Sequence, residues 1–528
     1  MFNIPTVTVA KTTLTGTSSS VTLTYVAPSV AWTPRHLVVR VNGKSNYSSY
    51  DRDNIEFQFN GDTGSNYNYQ YLSGVGTSAN CARYSAQTKL YVGQTSGDDA
   101  NWFGGGDVLI PDALSTRTHK SVIAFSGSNE DIVQTVAGRW ASTAAITSVT
   151  ISATNASWLT GSTFELCVVD ESFNIDQDGD GEQILGSNGT FTVSSIGAAN
   201  GDLVLIGNVR GDVASQITGG LVQLNGDTTT TNYYRQRLRG NNTTVEAYAG
   251  GDNAFFDPAP GNSADANAFG AWVGQFANYS DGSNDRVAIT QTGFHGNSSN
   301  SHSTVHVGRW NNTAAITSIA IPPSTGTNWL TGSMLSTYVV PKNLIGRQEL
   351  GSNATTVTFS SIPQTYDHLE LSIYARGTSA GVPTRGIVID VNADSTTANY
   401  IAQILYGQGT GAAAYQSATR GTTSIPSGTA TANIFGQSTS TFYNYTKTDR
   451  YKHYLTMGGI DFSNIALISH RWISTAAISS LVLKVNVNDY LAGSVFELRG
   501  IHADTTAAAP SDIEKLNGIA SADIEAVN

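Results

Sequence analysis

Ten residues recur three times along this 528-residue chain, and their spacing limits what it can fold into. The stretch Arg-Trp-x-x-Thr-Ala-Ala-Ile-x-Ser begins at Arg139-Trp140, at Arg309-Trp310 and at Arg471-Trp472, with the tryptophans 170 and 162 residues apart. Each copy leads through an alternating apolar run to a Gly-Ser pair: Gly161-Ser162, Gly332-Ser333 and Gly493-Ser494. A second motif keeps step with the first. It reads Asn60-Gly61-Asp62, Asn225-Gly226-Asp227 and Asn392-Ala393-Asp394, and each copy is followed by Asn-Tyr: Asn66-Tyr67, Asn232-Tyr233 and Asn399-Tyr400. The chain is one module of about 160 residues used three times, a normal size for a domain.

Within a module the pattern is short runs of alternating apolar and polar residues, such as Ser20 to Tyr25 and His36 to Val41, separated by Gly, Ser, Thr and Asn. Alternation of period two is the mark of strands with one buried face. The expected fold class is all-β: three tandem antiparallel β-sandwich or jelly-roll-like domains. The expected boundaries are 1–173 for module one, 174–183 for an acidic linker, 184–341 for module two, 342–348 for a second linker and 349–504 for module three. A tail, 505–528, carries the repeat Asp512-Ile513-Glu514 and Asp523-Ile524-Glu525 and reads as short helical turns.

The motifs have simple structural readings. Neighbours along a strand face opposite ways, so Trp140, Trp310 and Trp472 are expected in the core, with Arg139, Arg309 and Arg471 pointing outward. Thr-Ala-Ala makes a compact corner. Asn-(Gly/Ala)-Asp has turn chemistry, because Asn tolerates positive φ and Asp accepts from the backbone two residues on. A ligand site built from Asp62, Asp227 and Asp394 is the alternative. A sharper expectation pairs each arginine with the aspartate of its own module.

A net charge of −12 with no Lys/Arg cluster argues against a nucleic-acid partner. No run of about 18 apolar residues predicts a membrane span. Met1 to Pro5 has neither the basic nor the apolar region of a signal peptide. The two cysteines, Cys81 and Cys167, do not form a disulfide framework, and Cys167 reads as a small core residue.

Candidate chemistry is sparse. Asp176, Asp178, Asp180 and Glu182, with Gly181 at the sixth position, match the front of a calcium loop, where alternate carboxylates converge on one hard cation. Position twelve is Ser187 rather than Glu. Ca²⁺ stiffening the linker and a solvated acidic linker are the two readings, and calcium is the one cofactor the sequence raises. No Gly-x-Ser-x-Gly, His-Glu-x-x-His or phosphate loop occurs, and the expectation is a protein that is not an enzyme. Aromatics in or near loops (Tyr67, Tyr69, Tyr71, Trp102, Phe103, Tyr233, Tyr234, Phe255 and Phe256) offer sugar-stacking surfaces, although structural roles are commoner.

One resemblance adds to this. The phrase Phe359-Ser360-Ser361-Ile362-Pro363-Gln364-Thr365-Tyr366-Asp367-His368-Leu369, the Asn-Ala-Asp-Ser motif, the ending Phe496-Glu497-Leu498-Arg499-Gly500-Ile501 and the Asp-Ile-Glu tail repeat resemble virion structural proteins of tailed bacteriophages, especially those of marine and cyanobacterial hosts. The resemblance covers module three well and module two fairly. Module one shares only the motifs, and Ala27-Pro28-Ser29-Val30-Ala31 stands where the others have Ser-Ser-Ile. It implies a non-enzymatic tail-fibre or appendage-like virion protein, assembled in the host cytoplasm. The implied partners are other virion proteins, further copies of itself in a homotrimer, and host surface polysaccharide. A capsid decoration protein and a bacterial carbohydrate-binding adhesin are the alternatives.

Overall fold

The computed structural model describes residues 4–98, 100–128, 131–175, 181–198, 201–297, 300–340, 344–461 and 463–501. Every named strand pairing is antiparallel, and the only helical elements among the described residues are three single 3₁₀ turns. Module one sets the plan. Its large sheet has eight strands in the spatial order β1 (Thr6–Thr13), β12 (Thr163–Val169), β3 (Leu37–Gly43), β8 (Gly104–Ile110), β9 (Lys120–Ser128), β10 (Ile132–Trp140), β5 (Tyr67–Val75), β6 (Ser78–Gln87). Its small sheet has four: β2 (Ser20–Thr24), β11 (Ser148–Ala153), β4 (Arg52–Phe59), β7 (Leu90–Ser96). Modules two and three repeat the eight-stranded order strand for strand. Module three also repeats the small sheet, which module two splits into a three-stranded and a two-stranded piece.

The two sheets of module one face each other like a sandwich. Val21, Ile55, Phe57, Val149 and Ile151 of the small sheet pack against Leu37, Val39, Val108, Val136 and Phe164 of the large one. In the small sheet β2 and β4 alternate between buried and more open positions over Ser20–Thr24 and Arg52–Phe59. That is the pattern of one wet face and one dry face. Large-sheet strands are different: β3, β9, β10 and β12 are buried at every position. Their second face is covered by the other modules.

One apolar cluster runs through all three modules, from Val38, Ile123, Phe125 and Val133 through Val204, Ile206, Val305 and Val307 to Leu405, Leu455, Met457 and Leu467. The contacts around it repeat cyclically. Gln70 Nε2 donates to the Asn242 carbonyl of module two at 2.9 Å, Gln236 Nε2 to the Gly409 carbonyl of module three at 3.0 Å, and Gln403 Nε2 to the Gly76 carbonyl of module one at 3.0 Å. Contacts that run one to two, two to three and three to one between equivalent residues are head-to-tail and close only by a threefold rotation. The chain is a ring of three modules, not a string of them.

Of the linkers expected at 174–183 and 342–348, residues 176–180 and 342–343 lie outside the described residues, and the described parts are paired rather than free. Asn174 pairs with Tyr338, and Glu182–Ile184 forms the edge strand of module two's large sheet. Leu344–Glu349 is the matching edge strand of module three, paired with Val495–Ile501. Short, partly polar edge strands carry too little alternation to be told from linkers in sequence. The tail after Ile501 lies outside the described residues.

Glycine lets the three hairpin arms meet. A Cβ on Gly74 would lie 2.8 Å from Leu405 Cβ and 3.0 Å from Ala414 Cβ, and one on its counterpart Gly240 would lie 3.0 Å from Cys81 Cβ and 3.1 Å from Leu72 Cβ. Cys81 is thus a packing residue at a module seam, and both cysteines are free. Gly74→Val is expected to cost about 1–3 kcal/mol through overpacking. Gly16→Ala, where a Cβ would meet nothing within 4 Å, should be close to neutral. Urea unfolding midpoints check both, and a neutral Gly74→Val would contradict the close approach.

Candidate functional site

The two recurrent motifs are halves of one clasp. Asn60, Asn225 and Asn392 take left-handed φ of 54°, 51° and 51°, as turn chemistry requires. Their side chains grip the corner after the tryptophan. Asn60 Oδ1 accepts from the amides of Thr147 and Ser148 at 2.8 and 3.1 Å, and Asn60 Nδ2 donates to the Ala145 carbonyl at 2.8 Å. Asn225 and Asn392 do the same. Asp62 accepts from the Gly64 amide at 2.8 Å, two residues on. Its other oxygen accepts from Trp140 Nε1 at 2.7 Å; Asp227 and Trp310, and Asp394 and Trp472, make the same bond at 2.8 Å. Trp140 and Tyr67 stack with ring centroids 6.4 Å apart. Trp140, Trp310 and Trp472 are buried, as the alternation predicts.

The aspartates are therefore structural acceptors. The indole donor of Trp472 is the main cause of an Asp394 carboxyl lowered to about 2. Burial alone would raise Asp62 and Asp227, but Trp140 and Trp310 with the nearby Asn side chains hold them below the usual range.

The pairing expected between each arginine and its own aspartate is corrected. All three arginines are buried and engage the next module around the ring. Arg139 Nη2 donates to Asp265 of module two at 2.6 Å. Arg309 Nε donates to Asp461 of module three at 2.8 Å. The Arg471 guanidinium lies over the ring of Trp102 in module one, 3.3 Å from its centroid. The "outward" face of this strand looks into a seam rather than into solvent. The corner's carbonyls also cap a buried cation that the sequence reading missed: Lys120 Nζ donates to the Thr143 carbonyl at 3.2 Å, Arg286 to Ala314 at 3.0 Å and Lys452 to Thr475 at 3.0 Å. The available signal was a Lys or Arg at one register position in every module, facing the tryptophan across the hairpin.

Asp176, Asp178 and Asp180 lie outside the described residues. Glu182 is described, and its carboxylate accepts from Arg35 Nε at 2.8 Å, which ties module two to module one. No group of three His, Cys, Asp or Glu able to hold a metal occurs among the described residues. The aromatics raised as sugar platforms are mostly structural: Tyr67, Phe103, Tyr233, Phe255 and Phe256 are buried.

The modules diverge at equivalent, largely buried positions of the hairpin arms, β5–β6 and its counterparts. In module one Tyr69 and Tyr71 pack with Tyr84 and Tyr91, Tyr69 and Tyr84 stacking at 5.0 Å. The matching positions of module two are Arg235 and Arg237, paired with Asp252 at 2.7 Å and Asp257 at 3.0 Å over the ring of Tyr248. Module three has Ala402 and Ile404 there, packed with Ile468 and Tyr406. One backbone thus carries an aromatic, a charged and an apolar cluster, each largely buried, with Tyr84 and Tyr415 reaching the surface.

No known protein family matches the chain, and no curated protein matches it. Among solved structures, slight likenesses are to transferrin binding protein B of serogroup B Neisseria meningitidis (7% identity, 58% of this chain, 87% of that chain, TM-score 0.09) and to OccK7 of Pseudomonas aeruginosa (8%, 86%, 98%, TM-score 0.08). The copper transporter OprC is comparable (9%, 82%, 79%, TM-score 0.08). At these TM-scores none carries an argument about fold or function.

The clasp makes a pH-linked prediction. Asp394's lowered carboxyl stabilises the fold above the ordinary carboxylate pKa of about 4, and the contribution is lost as pH falls through about 2. Trp472→Phe keeps the ring and removes the donor. It should cost about 1 kcal/mol at pH 7, the net worth of one hydrogen bond. The gap from wild type should shrink as pH falls from about 4 towards 2. Urea unfolding at pH 7, 4 and 2.5 checks this; a gap independent of pH would rule the bond out as its cause.

Proposed function

We propose that the chain is a non-enzymatic virion protein of a tailed bacteriophage, of tail-fibre or appendage type, that acts by binding. What supports this reading is the sequence resemblance in module three, together with a ring whose three arms share one backbone and differ in their side chains, Tyr84 and Tyr415 being exposed on two of them. A constant scaffold with divergent faces is what a recognition or docking element needs, because the packing that sets the geometry is separate from the side chains that make contact. The proposed jelly-roll character of the modules rests on the large and small sheets in the repeated strand order. In this reading one end of the ring docks on the particle and the arms face outward, towards neighbouring subunits or host polysaccharide. Capsid decoration is the second reading, favoured by the same ring if all three faces meet virion proteins.

Immunogold labelling of purified particles is the direct test. Gold at the tail is expected, gold over the head would favour decoration, and unlabelled particles would sink both. The homotrimer implied by the resemblance has an internal counterpart, since three modules of one chain already make a threefold array. A native mass of one chain is therefore expected for the purified protein, and a mass of three chains would restore the trimer of copies.

A further inference from the structure

The three seams share one geometry, and at one of them the charges do not balance. At the seam between modules two and three, Arg309 is held by two carboxylates: Nη1 donates to Asp285 at 2.6 Å and Nε to Asp461 at 2.8 Å. Strand register identifies their counterparts. Lys120 and Arg286 lie opposite Trp140 and Trp310, so His119 of module one takes the place of Asp285. Gly293 and Gly459 lie opposite Ser303 and Ile465, so His295 of module two, two residues on, takes the place of Asp461. By register, two histidines near enough to feel the charge of Arg139 occupy the places of the two carboxylates that hold Arg309.

Arg139 keeps one ionic partner, Asp265, whose side chain is 45% exposed. Arg139 itself is 5% exposed, and its Nε and Nη1 are buried without a hydrogen-bond partner among the described residues. The same holds for Nδ1 of His119 and Nδ1 of His295. Ser85 Oγ lies 3.1 Å from His295 Nε2 and fixes that ring. Arg210 adds positive charge close by, its own guanidinium donating to the carbonyls of Asp265, Asn262, Ala264 and Ala268. Burial first, and Arg139 second, lowers His119 to about 4 and His295 to about 3, so both rings are neutral at pH 7. A buried guanidinium answered by one half-exposed carboxylate, beside several unfilled donors, is costly unless something negative joins it. The third seam solves the same problem differently: Arg471 lies over Trp102, with Tyr451 at the place of Asp285 and its ring centroid 6.0 Å away.

We propose that a small oxyanion of the phosphate or sulfate class binds between Arg139, His119 and His295 at the seam of modules one and two, where the next seam has the carboxylates of Asp285 and Asp461. A guanidinium and two imidazole N–H groups are suitable donors for such an anion. The anion closes this seam from solution, independently of what the outer faces bind.

The test is thermal unfolding of the intact protein at pH 7 and constant ionic strength, titrating inorganic phosphate against chloride. Wild type should show a saturable rise in Tm with phosphate. The double variant His119→Asp/His295→Asp, which builds the second seam's carboxylates into the first, should lose that rise. No phosphate response in wild type, or an equal response in the double variant, would overturn the proposal. Should the double variant not fold, Arg139→Gln is read in the same way: loss of the response supports the site, and a retained response overturns it.

Discussion

Everything in this molecule follows from burying the large sheet on both faces. A sheet in a free-standing sandwich has one dry side and one wet side. Here the second side of each eight-stranded sheet meets the other two modules, so residues that would otherwise be solvated lie inside. Serines, threonines, glutamines, histidines and arginines on that face must find partners, because a buried polar group without one is costly. They find them across the seams. Gln70, Gln236 and Gln403 reach carbonyls of the next module, Asn208 reaches Thr118 at 2.9 Å, and Asn444 reaches Asn42 at 2.9 Å. The interface is a polar network around an apolar centre, and hydrogen-bond geometry rather than apolar area sets its register.

The ring also explains why the copies diverge where they do. The clasp of Trp, Asp and Asn is internal to each module and is the same in all three. The seams have equivalent backbones, and each needs only to be satisfied locally. His36, Asp202 and His368 occupy one position in the three modules. Each accepts a backbone amide through its side chain, from Asp112, Asn278 and Asn444 at 3.0, 3.1 and 3.1 Å. Each then meets a different partner in the next module: Ser336 at 3.1 Å, Arg499 at 3.5 Å and Glu165 at 3.1 Å. Only two of the three seams are spanned by a chain connection. The seam from module three back to module one has none, and it carries Lys11 with Asp367 and Arg450 against Asn42 and the Gly161 carbonyl.

Sequence alone determined the period, the all-β class and the turn conformation of the Asn-(Gly/Ala)-Asp motif. Those are local properties: alternation reports the strand, Asn with positive φ reports the turn, and Trp140, Trp310 and Trp472 in an alternating run report the core. It did not reveal what covers the polar face, because Thr135 or Gln291 reads the same whether water or another module lies above it. Hence the alternation places the arginines outward, and most of the edge strands Glu182–Ile184 and Leu344–Glu349 falls within the expected linkers. Only the tertiary structure could decide that Arg139, Arg309 and Arg471 each cross a seam, and that the cross-module neighbours of those arginines differ in charge. These facts depend on residues about 120 to 370 positions apart meeting across a ring, and no spacing along the chain encodes that meeting.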